Sequence, residues 1–313
     1  MRKSLPLALV AGAASGLLMV GTSSGQPLAL LLSHFTLLPL FLAGLGIGTV
    51  GALAAGGTGA LTVGILAGPL PALVYGALNA LPVLILVRQA LLSRAASVGG
   101  LEWYPGGLLL CWLVGIAMGF YALALAFFAV FGNGLIAATR EVLRLYTEAL
   151  GDAIAPSAAE VVLGAAPLVP ALTAGFYILN ATLNAALAQH LLRRSGRNLR
   201  PSVDFAALTL PPQLLWLALA SLLLGLIAPP LAPIAYTLAF IVAVAYFLLG
   251  LAVVHAFLRR RTKRGAAMFG FYAAFALSMV LFSAIGAAVV GLGVAEQLAG
   301  LRRRFTGGGK EDG

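Results

Sequence analysis

The chain has 313 residues, 61% of them hydrophobic and 9% charged, with a mean hydropathy of +1.04. So few charges cannot cover a soluble domain of this length, and the missing polar surface must face lipid. The balance of 19 Lys and Arg against 9 Asp and Glu would suggest nucleic acid in a soluble protein, but here the basic residues stand in short clusters beside apolar runs, the pattern of membrane loops.

A hydrocarbon core about 30 Å thick takes about 20 helical residues to cross. Apolar runs near that length fall at 5–22, 28–47, 48–67, 70–92, 107–131, 166–192, 208–228, 232–258 and 267–296. The first, behind Arg2 and Lys3, superficially resembles a secretory signal. Its length, its recurring small residues and the spans that follow read it as a retained membrane helix. From Leu28 to Val87 there is no charge, and the breaks rest on Pro39, on Gly56 with Gly57, and on the Gly68 to Pro71 punctuation. Cys111, the one cysteine, lies within an apolar run and excludes disulfides and multi-cysteine metal sites.

Arg2 and Lys3, Arg88 and Arg94, the cluster Arg193 to Arg200 and the cluster Arg259 to Arg264 share one side if four spans precede Arg88 and two separate each later pair. That side is expected to be the cytoplasm. The net acidic segment from Gly132 to Ala165 fits the other side. Arg302 to Arg304 conflict with an odd span count, so parity favours eight or ten. One resolution splits the stretch from Phe269 to Gly300 into two short helices turning near Ser283 and Gly286. The expected fold is an all-α polytopic transmembrane helical bundle of eight to ten spans, with residues 1–304 as one membrane domain and 305–313 as a polar flexible tail. Within it, 134–155 reads as an amphipathic surface helix. Leu135, Val142, Leu145, Tyr146, Leu150 and Ile154 lie on one face, and Arg140, Arg144, Glu148 and Asp152 lie toward the other. A gate over a ligand cavity is the alternative for that helix.

Small residues one turn apart mark faces where helices approach closely in lipid. Such faces run through Ala8, Gly12 and Gly16, through Gly44, Gly48 and Ala52, through Ala60, Gly64 and Gly68, and through Ala287, Gly291 and Ala295. Internal packing is the first reading, with the first helix the best placed to meet another protein.

Chemistry-bearing patterns are sparse. The acidic residues fall in loops, at span ends or in the tail, which argues against proton relays and intramembrane aspartyl proteases. His34, His190 and His255 are isolated in sequence, and no metal site or cofactor is expected. Gly46, Gly48 and Gly51 spell G-x-G-x-x-G but lack a preceding soluble strand, and the Gly307 to Lys310 run lacks the first glycine and the Ser/Thr of a phosphate loop. In-span polar residues are the remaining site candidates. Tyr177, Asn180 and Asn184 share a helix face, and Tyr75 and Asn79 repeat the spacing on the fourth span. They line a cavity for a small solute, or they hydrogen-bond between helices. Trp103, Tyr104 and Trp112 read as interfacial anchors.

The runs from Pro39 to Gly46, from Trp103 to Leu109 and from Pro201 to Phe205, continuing to Pro211, resemble the YybS-like family of predicted bacterial membrane proteins over about residues 5 to 304. That resemblance implies a multi-pass membrane protein and carries over no catalytic residue. The small-residue first helix and the Gly/Pro-rich early spans are similar to the substrate-binding membrane subunits of energy-coupling-factor transporters, which have fewer spans. The expectation is a non-enzymatic protein of the bacterial inner membrane with its N-terminus cytoplasmic and no nucleic-acid partner. Two roles lead, a subunit that binds or transports a small-molecule ligand with a partner ATPase and a scaffold for envelope or division proteins, with an intramembrane enzyme the minor third, since no nucleophile and base are placed together.

Overall fold

The structure, a computed structural model, describes residues 4–95, 100–259 and 283–303. Arg2, Lys3, the basic cluster from Arg260 to Arg264, the part of the Phe269 to Gly300 stretch up to 282, Arg304 and the 305–313 tail lie outside the described residues. Among the described residues, six helical segments are long and apolar enough to cross a membrane: Pro27–Ile47, Thr49–Ala67, Pro69–Ala90, Gly106–Phe131, Val169–Arg194 and Pro229–Leu258. Leu5–Val20, Gln213–Ile227 and Ala284–Ala299 are shorter apolar helices. The all-helical membrane architecture stands, with six candidate spans where eight to ten were expected.

The chain divides into two compact units. One comprises Met1–Leu113 with Leu179–Asp204, and the other Val114–Ile178 with Phe205–Gly313. The first holds α1 (Leu5–Val20), α2 (Pro27–Ser33), α3 (Leu37–Ile47), α4 (Thr49–Ala67), α5 (Pro69–Tyr75) and α6 (Leu81–Ala90). A hairpin of β1 (Ser93–Ala95) and β2 (Leu101–Trp103) follows. The unit is completed by the first turns of α7 (Gly106–Phe131) and the end of α10 (Val169–Arg194).

Helix α1 lies on α4 backbone to backbone. A Cβ added at Gly12 would sit 2.2 Å from the Ala55 carbonyl oxygen, and one at Gly16 would sit 2.8 Å from that of Gly59. Residue numbers rise together along this contact, so α1 and α4 run in the same direction. Gly56 faces Ala80 and Gly64 faces Ala72, which makes α4 antiparallel to the α5–α6 segment. Ala8, Gly12 and Gly16 are therefore occupied inside the unit. Gly44 fits against Val87, whereas Gly48 stands at the break between α3 and α4 with φ of +104°, a conformation that L side chains rarely adopt. Gly46 meets Leu192, and Leu199 N–H donates to the Leu45 carbonyl at 3.2 Å. The ends of α3, α6 and α10 thus gather beside one another, where Arg88, Arg193 and Arg194 emerge.

The second unit is built around α12 (Ala232–Leu258), whose span is 67% buried. Against it pack α11 (Gln213–Ile227) and α13 (Ser283–Ala299). Gly225 fits under the Tyr236 ring, and a Cβ at Gly250 or Gly293 would lie 2.0 Å from the Val289 or Tyr246 carbonyl oxygen respectively. The contacting face of α13 is thus Val289, Gly293 and Glu296, which are buried, and not the expected Ala287 and Gly291, which are exposed.

Between α7 and α10 run α8 (Leu135–Leu150) and α9 (Pro156–Gly164). On α8 the apolar stripe points away from the protein, with Val142 65%, Leu145 54% and Tyr146 62% exposed. On its polar face Arg144 pairs with Glu141 and Glu148, and the hydrogen bond from Arg144 holds the Glu141 carboxyl below the usual range.

Replacing Gly12 with leucine forces α1 off α4 and should cost about 1–3 kcal/mol or more. Gly57→Ala, where a Cβ meets nothing within 4 Å, is the matched control. Thermal unfolding in detergent should show a clearly lowered Tm for the first and a near-native one for the second.

Candidate functional site

Proline donates no backbone hydrogen bond, and in an apolar medium a carbonyl released from the helical ladder needs another donor. Ahead of Pro39 the second span breaks at 34–36. There Leu38 N–H bonds to the Phe35 carbonyl at 3.0 Å, so the His34 carbonyl is outside the ladder. Asn184 supplies the donor. Its Nδ2 lies 2.9 Å from the His34 carbonyl oxygen and 2.8 Å from that of Asn180, and the side chain is 1% exposed. The Asn184 Oδ1 is buried and makes no hydrogen bond among the described residues. Two residues further on, the Thr36 carbonyl accepts from Ser15 Oγ at 2.6 Å. Ser15 Oγ also lies 2.7 Å from the Tyr75 hydroxyl. Because the single serine proton is committed to Thr36, Tyr75 is the donor in that pair.

Tyr75, Asn180 and Asn184 therefore meet around one helix break. Asn79 sits apart in the π-turn Gly76–Ala80, where Leu81 N–H reaches back to the Gly76 carbonyl ahead of Pro82. Tyr177 packs edge-on against Phe120, with ring centroids 5.5 Å apart.

A second hub forms where α6 ends. Arg200, 7% exposed, donates to the Ala90 carbonyl at 2.8 Å and the Tyr104 carbonyl at 3.3 Å, and its guanidinium lies 5.9 Å from the centre of the Trp103 ring. Ala90 is the last residue of α6, so its carbonyl is one that the helix cannot satisfy. Burial lowers the Arg200 pKa from its ordinary value. Gln189 and Asn198 both donate to the Arg200 carbonyl, at 2.7 and 2.8 Å. Trp112 Nε1 donates to the Tyr104 hydroxyl at 3.1 Å.

The second unit holds a pocket of about 310 Å³ roofed by the start of α8. Its walls include Tyr121, Leu135, Ile136, Pro170, Pro233 and Thr237. The Tyr121 and Thr237 side chains both line the pocket, and Thr237 Oγ1 donates to the Pro233 carbonyl at 2.8 Å. Mostly apolar walls that carry the Tyr121 and Thr237 hydroxyls and the Asn133 amide suit a small molecule that is largely apolar and carries a polar group. The lining contains no carboxylate, cysteine or histidine.

A family model described as "Predicted membrane protein (DUF2232)" matches residues 5–295. The chain belongs to this family. No curated protein and no solved structure matches this DUF2232 chain.

Ser15, Thr36, Tyr121 and Thr237 were not distinguished in the sequence, and Arg200 was read only as part of a basic cluster. A serine three residues after Gly12 and directly before Gly16, on the face expected to pack, was the available signal for Ser15. The spacing of Pro233 and Thr237 was the signal for the pocket wall, since a hydroxyl four residues after a proline can bond back to its carbonyl.

Replacing Asn184 with leucine removes the donor to the part-buried His34 carbonyl and should cost about 1–3 kcal/mol of stability. Asn180→Leu leaves the His34 bond in place and should cost less. Thermal unfolding of the two single variants in detergent checks the order. At the other hub, Arg200→Lys should lower the Tm nearly as far as Arg200→Ala, because one ammonium does not reproduce a guanidinium fork between separate carbonyls.

Proposed function

We propose that this DUF2232 protein is a non-enzymatic membrane subunit that binds a small solute in the pocket beneath α8. The carrying observation is that pocket, in which the Tyr121 and Thr237 hydroxyls and the Asn133 amide stand among apolar and proline-rich walls. Transport, on this reading, draws its energy from a partner ATPase, as the likeness to substrate-binding subunits of energy-coupling-factor transporters suggests. The exposed apolar stripe of α8 would rest in the membrane interface and set the first turn of that helix as the pocket's roof. Binding rather than covalent chemistry fits walls that carry hydroxyls but no carboxylate, cysteine or histidine.

Two of the residues first expected at the ligand take part in packing bonds. The amide nitrogen of Asn184 serves backbone carbonyls, and the Tyr75 hydroxyl serves Ser15. A scaffold role through small-residue faces has less support, since Gly12 and Gly16 are covered by α4, and Gly250 and Gly293 by α13 and α12 respectively. The location we propose is the bacterial inner membrane with the N-terminus cytoplasmic, resting on the arginines at the ends of α6 and α10.

Purification from native membranes in mild detergent, followed by mass spectrometry of released small molecules, tests the reading. The wild-type chain should release one stoichiometric compound. Ala137→Trp, which fills the pocket from its roof, should lose it while keeping a near-native Tm. Equal recovery from both would contradict the assignment of the pocket.

A further inference from the structure

The second unit contains a buried ion pair at the end of α13. Glu296 receives Arg302 Nε at 2.9 Å on one carboxylate oxygen and the Arg302 backbone N–H at 2.9 Å on the other, with the Glu296 and Arg302 side chains 9% and 16% exposed. The same guanidinium donates to the Leu208 carbonyl at 2.7 Å and to the Ala206 carbonyl. One turn earlier, Gln297 Nε2 donates to the Leu210 carbonyl at 3.2 Å. The segment 205–210 is thus gripped by the C-terminal end of α13 through side chains that satisfy its backbone.

The same segment also meets the C-terminal end of α12, where the Phe205 ring lies edge-on to His255 with centroids 5.7 Å apart. Helix α11 leaves from this segment and returns as α12, with Gly225 against Tyr236 at the far turn. Two helices whose C-terminal ends converge on one short segment run in the same direction. The end of α12 and the start of α13 therefore lie at opposite ends of the pair.

We infer that residues 301–303, at the end of α13, lie on the same side of the membrane as the segment 205–210 that leads into α11, locked there by the Glu296–Arg302 clamp on 206–210. This answers the conflict raised by the C-terminal arginines, because Arg302 and Arg303 then share a side with Phe205, which follows Arg200 by five residues in the chain. A buried carboxylate facing an arginine that also binds two carbonyls is a four-point anchor, and its loss frees a guanidinium and two backbone acceptors together. The anchor does not depend on what the pocket under α8 binds.

Single-cysteine variants of the full chain, in a Cys111→Ser background, test the inference with a membrane-impermeant maleimide on right-side-out and inverted membrane vesicles. Arg197→Cys reports the loop between α10 and α11, Gly309→Cys the tail, and Glu160→Cys the loop between α7 and α10. The expected result is that positions 197 and 309 label from one side and position 160 from the other. Labelling of position 309 together with position 160, or from both sides equally, overturns the assignment. Protease protection of an epitope at the C-terminus of the otherwise unaltered chain reads the same side without relying on the cysteine variants. For the clamp, Glu296→Gln should raise proteolysis within 205–210 several-fold over wild type, while unchanged cleavage would show that the ion pair does not hold the segment.

Discussion

A backbone carbonyl released at a helix break inside a membrane protein has no water to turn to, and this constraint organises the structure. The chain is rich in prolines and glycines that interrupt its apolar helices, and specific side chains answer the interruptions. Asn184 answers the break at 34–36, and Arg200 caps the end of α6. Thr237 bonds back to Pro233, and Arg302 with Gln297 holds the carbonyls of 206–210. In a chain with only 9% of its residues charged, these polar side chains are committed to backbone.

Close packing supplies the other half of the order. Lipid offers no hydrophobic drive between helices, so contact depends on shape and on how near two backbones can come. Gly12 against Ala55 and Gly293 against Tyr246 show that approach at its limit, since a single methyl group would collide with a carbonyl oxygen. Ser15 belongs to both systems. It is small enough to sit in the α1–α4 seam, and it brings a hydroxyl to the Thr36 carbonyl and the Tyr75 hydroxyl. Packing and polar satisfaction therefore depend on the same face, and a change there disturbs both.

The six candidate spans were readable because lipid demands long apolar runs and because breaks such as Gly68 with Pro69 punctuate them. The amphipathic helix was readable because Arg140, Arg144 and Glu148 phase it. Helices with few polar residues carry no such phase, which is why α13 was assigned Ala287 and Gly291 as its contact face when Gly293 makes the contact. Asn184 stood out as an amide within a span, but its partner is a main-chain oxygen at His34, and a backbone acceptor leaves no mark in the residue names. The pocket under α8 was hidden for a related reason, because Tyr121, Pro170 and Thr237 are ordinary span residues that only the fold brings together. Arg200 was concealed among arginines that share its composition but not its burial.

The claim that side chains satisfy the carbonyls freed at helix breaks can be measured at His34. An isotope label on the His34 carbonyl, read by infrared spectroscopy in lipid nanodiscs, separates its stretch from the helical background. The account predicts a hydrogen-bonded frequency in the wild-type chain that rises when Asn184 is replaced by leucine and stays in place when Asn180 is. A His34 carbonyl band that does not move in the Asn184 variant would contradict it.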